Sequence, residues 1–515
     1  MAVQLKILDW KNQPLFLKLM VIAALSTYIP AVHAFVRDDH ETSRIFFYSG
    51  TLGLIGFLII AIAVANSIAT RKSNDFGHLI SLIALFVFAP LYLALPHYEA
   101  LDTATYFDAY VDMVSALTTT GADLIGDLQT VNGTIHLWRA QVAWMGGLMM
   151  WIAASAILAP LSLGGFEVTA KGQPGQIEMR NPFGARVDPM RRINRSAAVL
   201  VPTYLGLSFA LWLYLIIAGE STLVAAIHAM SVLATSGITI PGSMEASGSG
   251  VIGEIGMAFF MLFALSRLTF SSDTQTKIKV ELFRDPEFRI GLAVVLIASI
   301  LFLLRFAMSL ETMSIFQLPP EQLYRVMWGN LFTALSFLST TGFVSAEWNI
   351  AHIWPNIGAP GLLLMGLAMI GGGVATTAGG VKLLRIYVLY INGLREIDHM
   401  IHPSSIVSRS GSYHQVERNR VIIAWVFLML FAVSMAVLAI LFSLFGVGFE
   451  ESIMLAATAL SNTGPLTTIV GQETLELVSL GDGTKLVFAG AMVLGRIEAL
   501  AVISLIGTEV WRGEA

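Results

Sequence analysis

Cysteine is absent from all 515 residues, which excludes a disulfide framework, a thiolate metal site and a cysteine nucleophile. Charge is nearly as scarce. Asp, Glu, Lys and Arg make up 13% of the chain and hydrophobic residues 56%, whereas a soluble protein carries roughly 25% charged residues. A string of soluble domains is thereby excluded. Apolar runs of about 20 residues, enough to cross ~30 Å of hydrocarbon, alternate instead with short charged stretches. No phosphate-binding loop, zinc cluster or nucleophile motif occurs, so neither an enzyme nor a covalent cofactor is expected, and any nucleotide control must come from another chain. Gly248-Ser-Gly-Val-Ile-Gly253 has the spacing of a dinucleotide fingerprint, but no strand is expected before it. Asn132-Gly-Thr134 matches a glycosylation acceptor, without meaning in a prokaryotic-looking chain, and His228 is read as a packing histidine in preference to a metal ligand. The net charge of −5 is small for this length and singles out no partner; nucleic acid is not expected.

Ten lipid-crossing helices are expected, near 15–36, 46–70, 79–98, 135–158, 193–218, 250–270, 288–308, 359–397, 421–446 and 484–510. Four semi-apolar segments between them, 104–121, 221–237, 323–342 and 449–464, each end in glycine and are too short or too polar to span, so they are read as re-entrant. Short loops rich in Lys and Arg stay cytoplasmic. One face collects Lys6, Lys11, Lys18, Arg71, Lys72, Lys171, Arg180, Arg186, Arg191, Arg192, Arg195, Arg267, Lys277, Lys279, Arg284, Arg289, Arg385, Arg395, Arg409, Arg418, Arg420 and Arg512. The other face, where the re-entrant segments enter, has Arg37, Arg44 and Lys485 and is read as outside. It is acidic, with Glu99, Asp102, Asp123, Asp127, Glu245, Glu347, Glu473, Glu476 and Asp482. That rim is either a cation-concentrating pore mouth or simply solvated. The N-terminus is then cytoplasmic. Its lysines and apolar run ending at Ala31-Val-His-Ala34 have the look of a signal peptide. The run is longer than the usual core of about 7–15 residues, and it pairs as a hairpin with 46–70, so retention is expected.

Each re-entrant segment closes with a related heptapeptide: Ser115-Ala-Leu-Thr-Thr-Thr-Gly121, Ser231-Val-Leu-Ala-Thr-Ser-Gly237, Ser336-Phe-Leu-Ser-Thr-Thr-Gly342 and Thr458-Ala-Leu-Ser-Asn-Thr-Gly464. Leu117, Leu233, Leu338 and Leu460 stand four before the glycine, and a hydroxyl residue stands one before it. A lone copy would be an ordinary turn or a tight packing contact. Four in one register, each separated by an outgoing span, a basic loop and an incoming span, make a repeated unit of helix, pore segment, helix. Extended backbone in hydrocarbon leaves peptide groups unsatisfied, but four segments around an axis can turn their carbonyls inward and replace the hydration shell of a monovalent cation. Glycine accepts the required dihedral angles without a side chain in the conduit. The short helix before it points its negative end at the axis. The candidate cation-binding residues are Thr119, Thr120, Gly121, Thr235, Ser236, Gly237, Thr340, Thr341, Gly342, Asn462, Thr463 and Gly464.

At these residues the chain resembles the Trk, Ktr and HKT superfamily of potassium transporters, most closely its Trk membrane subunits. Further resemblance lies in Leu137-Trp-Arg-Ala140 with Trp144-Met-Gly-Gly147, in Gly371-Gly-Gly-Val-Ala-Thr-Thr-Ala-Gly-Gly-Val-Lys382 followed by Ile401-His-Pro403, and in Leu494-Gly-Arg-Ile-Glu498. The two spans before residue 75 are similar to the addition that separates Trk from Ktr members. The resemblance implies an all-α integral membrane protein with four pseudo-symmetric helix–pore-helix–helix repeats around one pore. Its layout is a two-helix addition at 1–75 and repeats at 76–165, 166–275, 276–400 and 401–515. It also implies K+ as the bound and transported ion, a dimer of this chain, a cytoplasmic ring of nucleotide-binding subunits of the TrkA type, and a bacterial inner membrane. A serine at the first glycine position goes with sodium preference in the family, so Gly121 argues for potassium. The second segment, Ala-Thr-Ser-Gly-Ile, and the fourth, with Asn462 and Pro465, depart from the pattern, so the fourfold symmetry is approximate. A sodium- or proton-coupled symporter on the same fold and a non-conducting receptor or anchoring subunit are the alternatives.

As one helix the 359–397 span would run ~58 Å, about twice the hydrocarbon thickness. Gly371 to Gly380, with Gly371, Gly372, Gly373, Gly379, Gly380, Thr376 and Thr377, is poor helix and is expected to interrupt it. The resemblance implies a gate here; a kink relieved by close packing of small residues is the alternative. Arg496 falls near mid-membrane, where a cation needs a cavity or a partner. A cavity-facing Arg496 that opposes passing cations is expected, and an ion pair with another repeat is the alternative. Glu498 is too near in sequence to share its helix face. Arg139, Arg305 and Arg325 lie nearer span ends, where they are expected to snorkel or anchor helices.

Overall fold

The computed structural model describes residues 14–68, 75–101, 105–126, 131–159, 161, 163, 189–242, 244, 247–266, 285–309, 319–348, 361–402, 418–469 and 475–498. Of the charges that set the orientation, Lys6, Lys11, Arg71, Lys72, Lys171, Arg180, Arg186, Arg267, Lys277, Lys279, Arg284, Arg409 and Arg512 lie outside the described residues, as do Asp102, Asp127, Glu245 and Glu473.

The described residues are helical, with no strand among them, and seven stretches are long and apolar enough to cross a bilayer: Leu15–Val36, His40–Ala63, Gly77–Glu99, Gly133–Leu158, Met190–Ile217, Pro286–Met308 and Arg420–Leu444. Of the ten expected spans, 250–270 is shorter than expected, at Gly250–Leu265; 359–397 is broken in two, as its glycines predict; and 484–510 is described only as far as 498. Lipid rather than water explains why spans such as His40–Ala63 leave Leu52, Ile55 and Ile59 exposed along their length.

The first span is two helices, α1 (Leu15–Ser26) and α2 (Tyr28–Val36). They bend at Thr27, where Ser26 and Thr27 hydroxyls donate back to Ala23 and Ala24 carbonyls and Pro30 cannot donate an N–H. They pack on α3 (His40–Ile68) as the expected hairpin. Then the unit of outer helix, re-entrant helix and inner helix begins. Repeat 1 is α4 (Asp75–Glu99), α5 (Tyr106–Leu117) and α6 (Gly133–Ala153), the last running into a π-helical turn at Ala154–Leu158. Repeat 2 is α7 (Pro189–Ile217), α8 (Thr222–Ala234) and α9 (Gly250–Met261). Repeat 3 is α10 (Pro286–Ser309), α11 (Pro320–Leu338) and an inner helix in two parts, α12 (Gly361–Ile370) and α13 (Leu383–Ile401). Repeat 4 is α14 (Arg418–Leu444), α15 (Phe449–Ser461) and α16 (Asp482–Ile497).

The packing closes a ring. Each outer helix lies on its own re-entrant helix, and each inner helix lies on its own and on the next: α6 on α8, α9 on α11, α12 on α15, and α16 back on α5. A buried Lys485–Asp108 pair at 2.6 Å joins the starts of α16 and α5 across that last junction. Lys485 is therefore an inter-repeat bond and not one of the outer-face loop charges.

Glycines in the inner helices let the re-entrant helix ends approach. A Cβ on Gly146 would lie 2.0 Å from Leu117 O, and one on Gly495 2.6 Å from Ala459 O, in both cases rigid backbone. Gly146→Ala is therefore expected to destabilise the protein by ~1–3 kcal/mol, the usual cost of overpacking. Gly490→Ala, on an open helix face, should be neutral or stabilising. Thermal unfolding in detergent of the two variants beside the parent checks the contrast; equal midpoints would contradict the packing assigned to Gly146.

Candidate functional site

All four re-entrant helices end alike. The residue two before the glycine is left-handed, with φ 57° at Thr119, 52° at Thr235, 59° at Thr340 and 52° at Asn462. The next residue's N–H then reaches back across the last turn, from Thr120 to Ser115 O (2.8 Å), Ser236 to Ser231 O (3.0 Å), Thr341 to Ser336 O (2.9 Å) and Thr463 to Thr458 O (3.1 Å). This is the Schellman closure, which occupies a carbonyl that the helix end would otherwise leave orphaned. Glycine is the usual left-handed residue in it. A threonine there costs on the order of 1–3 kcal/mol, so its use in three repeats of four marks a geometry that the surroundings impose.

Gly121, Gly237 and Gly342 are left-handed in turn, at φ 70°, 68° and 84°. Left-handed geometry at alternate residues turns successive carbonyls toward one side. Gly464 lies outside the left-handed region, because Pro465 restricts the residue before it to extended conformations. All four glycines are nevertheless required by space. An added Cβ would lie 1.7 Å from Ser236 O at Gly121, 2.2 Å from Thr341 O at Gly237, 2.8 Å from Pro465 Cγ at Gly342 and 2.4 Å from Gly121 C at Gly464. The four segments thus meet in chain order, each against the next and the last against the first.

Hydroxyls next to the glycines are engaged locally: Thr120 with Thr118 (2.8 Å), Ser236 with Ser231 (3.0 Å) and Thr341 with Ser339 (2.9 Å). The fourth segment hooks the first, with Gly464 N–H donating to Thr120 O at 2.6 Å and Asn462 Nδ2 to Thr120 Oγ1 at 3.0 Å. Thr119 Oγ1, Ser461 Oγ and Asn462 Oδ1 are buried with no partner in the protein. Unpartnered buried oxygens are uncommon, and these three lie at the meeting point of the first and fourth segments.

The interruption of the third inner helix spans 371–382 and touches all four repeats. Gly379 N–H donates to Thr340 Oγ1 at 2.8 Å, and Thr377 Oγ1 to Leu233 O at 3.2 Å. Gly373 N–H donates to Ala264 O at 2.9 Å, Trp151 Nε1 to Ala375 O at 2.8 Å and Arg496 Nη1 to Thr377 O at 2.6 Å. Gly379 faces Ser461 O, where a Cβ would come within 2.0 Å. Left-handed Gly371 and Gly380 mark its turns, and Leu383 N–H bonds back to Gly372 O at 2.9 Å. Thr376 caps the loop internally on Gly373 O. Between the loop, α6 and α16 is a small cavity of ≈ 20 Å³ lined by Met150, Ala154, Lys382, Asn462 and Arg496 among others. Arg496 is 4% exposed, and its Nε and Nη2 have no protein partner. Among the described residues it forms no ion pair. Glu498 pairs with Arg385 instead, at 2.6 Å, with that guanidinium 3.5 Å over the Phe427 ring.

Behind the four segments, Asp112, Thr333 and Glu254 escape a reading of the sequence, which marks His228 only as a packing residue. Nine before each glycine stand Asp112, His228, Thr333 and Leu455. The first three hold the chain just beyond their own glycine: Asp112 takes Leu124 N–H at 3.5 Å, His228 bonds Thr239 Oγ1 at 2.8 Å, and Thr333 takes Ser345 N–H at 3.3 Å. Glu254 of α9 adds a hold on the third segment, accepting from Ser345, Ala346 N–H and Trp328 Nε1. Arg139 does not snorkel. It is buried on Asp112 and Asp123, whereas Arg325 is a surface residue paired with Glu321. In the loop before α8, burial pushes the Glu220 carboxyl up, but hydrogen bonds from Ser247, Ser249 and Ser221 outweigh it and hold the group below its usual range.

A family model described as TrkH, cation transport protein, matches residues 91–507. The chain belongs to the TrkH family. The Trk system potassium uptake protein TrkH of Vibrio parahaemolyticus is 29% identical over 410 residues, 79% of each chain. TrkI of Halomonas elongata is 27% identical over 439 residues, covering 84% of this chain and 82% of its own. TrkG of Escherichia coli K12 is 26% identical over 414 residues, 79% of each. The crystal structure of the potassium transporter TrkH from Vibrio parahaemolyticus superposes with a TM-score of 0.78 at 22% identity, covering 99% of this chain and 100% of that one, so the two share a fold. As a member of the TrkH family with these apolar helices, the chain is a membrane-embedded protein.

The loop's anchoring gives a direct check. Trp151→Phe removes the indole N–H on Ala375 O, and the loss of one hydrogen bond of about 1 kcal/mol should speed local opening by roughly fivefold. Amide hydrogen exchange across 371–382 measures it; unchanged exchange there would contradict the anchoring role of Trp151.

Proposed function

We propose that this chain is the potassium-translocating membrane subunit of a Trk-type uptake system. Permeation is channel-like, through a selectivity filter made by Thr119–Gly121, Thr235–Gly237, Thr340–Gly342 and Asn462–Gly464, with K+ as the cargo. The observation that carries this reading is the closed ring in which four helix ends of one geometry meet in chain order. Carbonyls brought together at negative helix ends favour a dehydrated cation over an anion, and the names of the relatives as potassium uptake proteins fit that chemistry.

The 371–382 loop acts as an intramembrane gate. It reaches the underside of the second, third and fourth segments, and Arg496 sets a positive charge beside it in the cavity, which raises the barrier to cations. The filter faces outside and the N-terminus lies in the cytoplasm of a bacterial inner membrane, in line with the distribution of Lys and Arg. A cytoplasmic nucleotide-binding subunit of the TrkA type, serving a dimer of this chain, grips the basic continuation of α13 and works the gate through it. For that it must bind the open and closed states with different affinity.

Rubidium flux into liposomes, with sodium replacing potassium, tests the filter and gate together. Gly121→Ser should lower the K+ to Na+ flux ratio about tenfold, equivalent to about 1.4 kcal/mol of lost discrimination. Arg496→Ala should raise total flux and leave the ratio alone. A ratio unmoved by Gly121→Ser would remove the filter assignment. Flux requiring a sodium or proton gradient would favour a symporter, and no flux at all, with the soluble partner present, a receptor.

Reversal to glutamate of Arg395, Arg409, Arg418 and Arg420 together should abolish co-purification of the soluble subunit and nucleotide-dependent flux, with insertion intact. Normal nucleotide control in that variant would take these arginines out of the coupling surface.

A further inference from the structure

The filter segments are held from behind by unequal means, and the first is held hardest. Arg139, in the second turn of α6, is 1% exposed and sits in a fork of carboxylates. Its Nε and Nη2 meet Asp112 Oδ2 and Oδ1, both at 2.9 Å, and Nη2 also reaches Asp123 Oδ1 at 2.7 Å and Ala122 O at 3.4 Å. Asp112 belongs to the re-entrant helix, while Ala122 and Asp123 are the two residues after Gly121. One guanidinium therefore ties the re-entrant helix, the outer end of the first segment and the inner helix to one another. Ser115 closes the same gap with a two-way bond to Ala122, donating to its carbonyl at 3.0 Å and accepting from its N–H at 2.8 Å. From α4, His97 Nε2 lies 3.0 Å from Asp112 Oδ2. The second and third segments have neutral or singly charged holds, His228 on Thr239 and Thr333 with Glu254 on Ser345, and the fourth has Leu455 at the matching place.

We propose that Arg139 is a positioning residue that sets the cation specificity of the pore: clamped by Asp112 and Asp123, it fixes the carbonyls at the outer end of the first filter segment. The inference rests on the filter reading above. Selectivity between two cations of one charge depends on a few tenths of an ångström in cage size and on how stiffly the cage resists shrinking around the smaller ion. A planar, two-pronged guanidinium holding both walls of the gap supplies that stiffness. Lysine keeps the charge that the two carboxylates need but loses the fork. It should therefore leave the protein folded and the segment slack.

The test is flux of Rb+ and Na+ through the full-length chain in liposomes, with thermal unfolding in detergent on the same samples. Arg139→Lys is expected to lower the Rb+ to Na+ flux ratio by roughly tenfold, a figure that matches about 1.4 kcal/mol. Asp123→Asn, at a side chain 41% exposed, should lower it in the same direction by a smaller factor and serves should Arg139→Lys fail to fold. The control is Asp108→Asn, which breaks the buried Lys485 pair on the same re-entrant helix without touching the segment's outer end. It should lower the unfolding temperature with the ratio unchanged. If Arg139→Lys and Asp123→Asn lose thermal stability but keep the parent ratio, while Gly121→Ser shifts it, the role is structural only: the proposal falls and the filter reading stands. If Gly121→Ser also leaves the ratio unchanged, both fall together. If Asp108→Asn shifts the ratio as far as Arg139→Lys does, general loosening of the helix explains the effect and the proposal is overturned.

Discussion

At membrane depth no water is on hand for a backbone amide, and an unpaired peptide group there costs several kcal/mol. A chain that breaks off four helices inside the bilayer must therefore close each helix end from within the protein. The Schellman turns at Thr119, Thr235, Thr340 and Asn462 do this for the last turns, and the ring of four segments does it for the glycines beyond them. No segment can satisfy itself alone. That is why the inner helix of each repeat leans on the re-entrant helix of the next, and why α16 has to return to α5. The same constraint gathers the four backbone segments around one axis, so the structural need and the proposed conduction path arise from one arrangement.

How much of this is legible in the sequence depends on whether the four repeats say the same thing. The glycine, the hydroxyl before it and the leucine four before it recur in one register, and so the segments, their helices and the membrane class can be read directly. The supports behind them cannot. Asp, His, Thr and Leu at the ninth position share no chemistry, so self-similarity passes over them, although three of the four bond the same stretch of chain. Charge counting fails for a related reason. Position near a span end leaves Arg139 either to snorkel or to anchor helices without naming its partners, and loop position gives Lys485 to the outer face; each is buried against carboxylates of repeat 1, and sequence spacing carries no trace of a Lys485 partner 377 residues away. Composition does mark the loop at 371–380, because five glycines in ten residues are incompatible with helix wherever they fall. It does not say that Trp151, Arg496 and Thr340 from three other places converge on it.

Placing four repeats in one chain frees each to diverge, and the divergence is not random. Repeat 1 has the charged clamp and repeat 2 a histidine. Repeat 3 has the broken inner helix, and repeat 4 gives up left-handed geometry at its glycine for Pro465 and a hook onto Thr120. A homotetramer would have to repeat every one of these. Four copies of the 371–382 loop could not share the space beneath one ring of segments, since a single copy already meets the second, third and fourth segments and the inner helices of the first, second and fourth. One loop suffices, and it is attached to one helix, α13. The Arg385–Glu498 pair then takes on a specific meaning. It binds the start of α13 to the residue that ends α16, two positions beyond Arg496. A pull on α13 that strained this buried pair would reach the loop from one side and the guanidinium that holds Thr377 O from the other. Two contacts that keep the loop in place are thus exposed to one movement, and a partner acting on α13 alone would not need separate access to the fourth repeat.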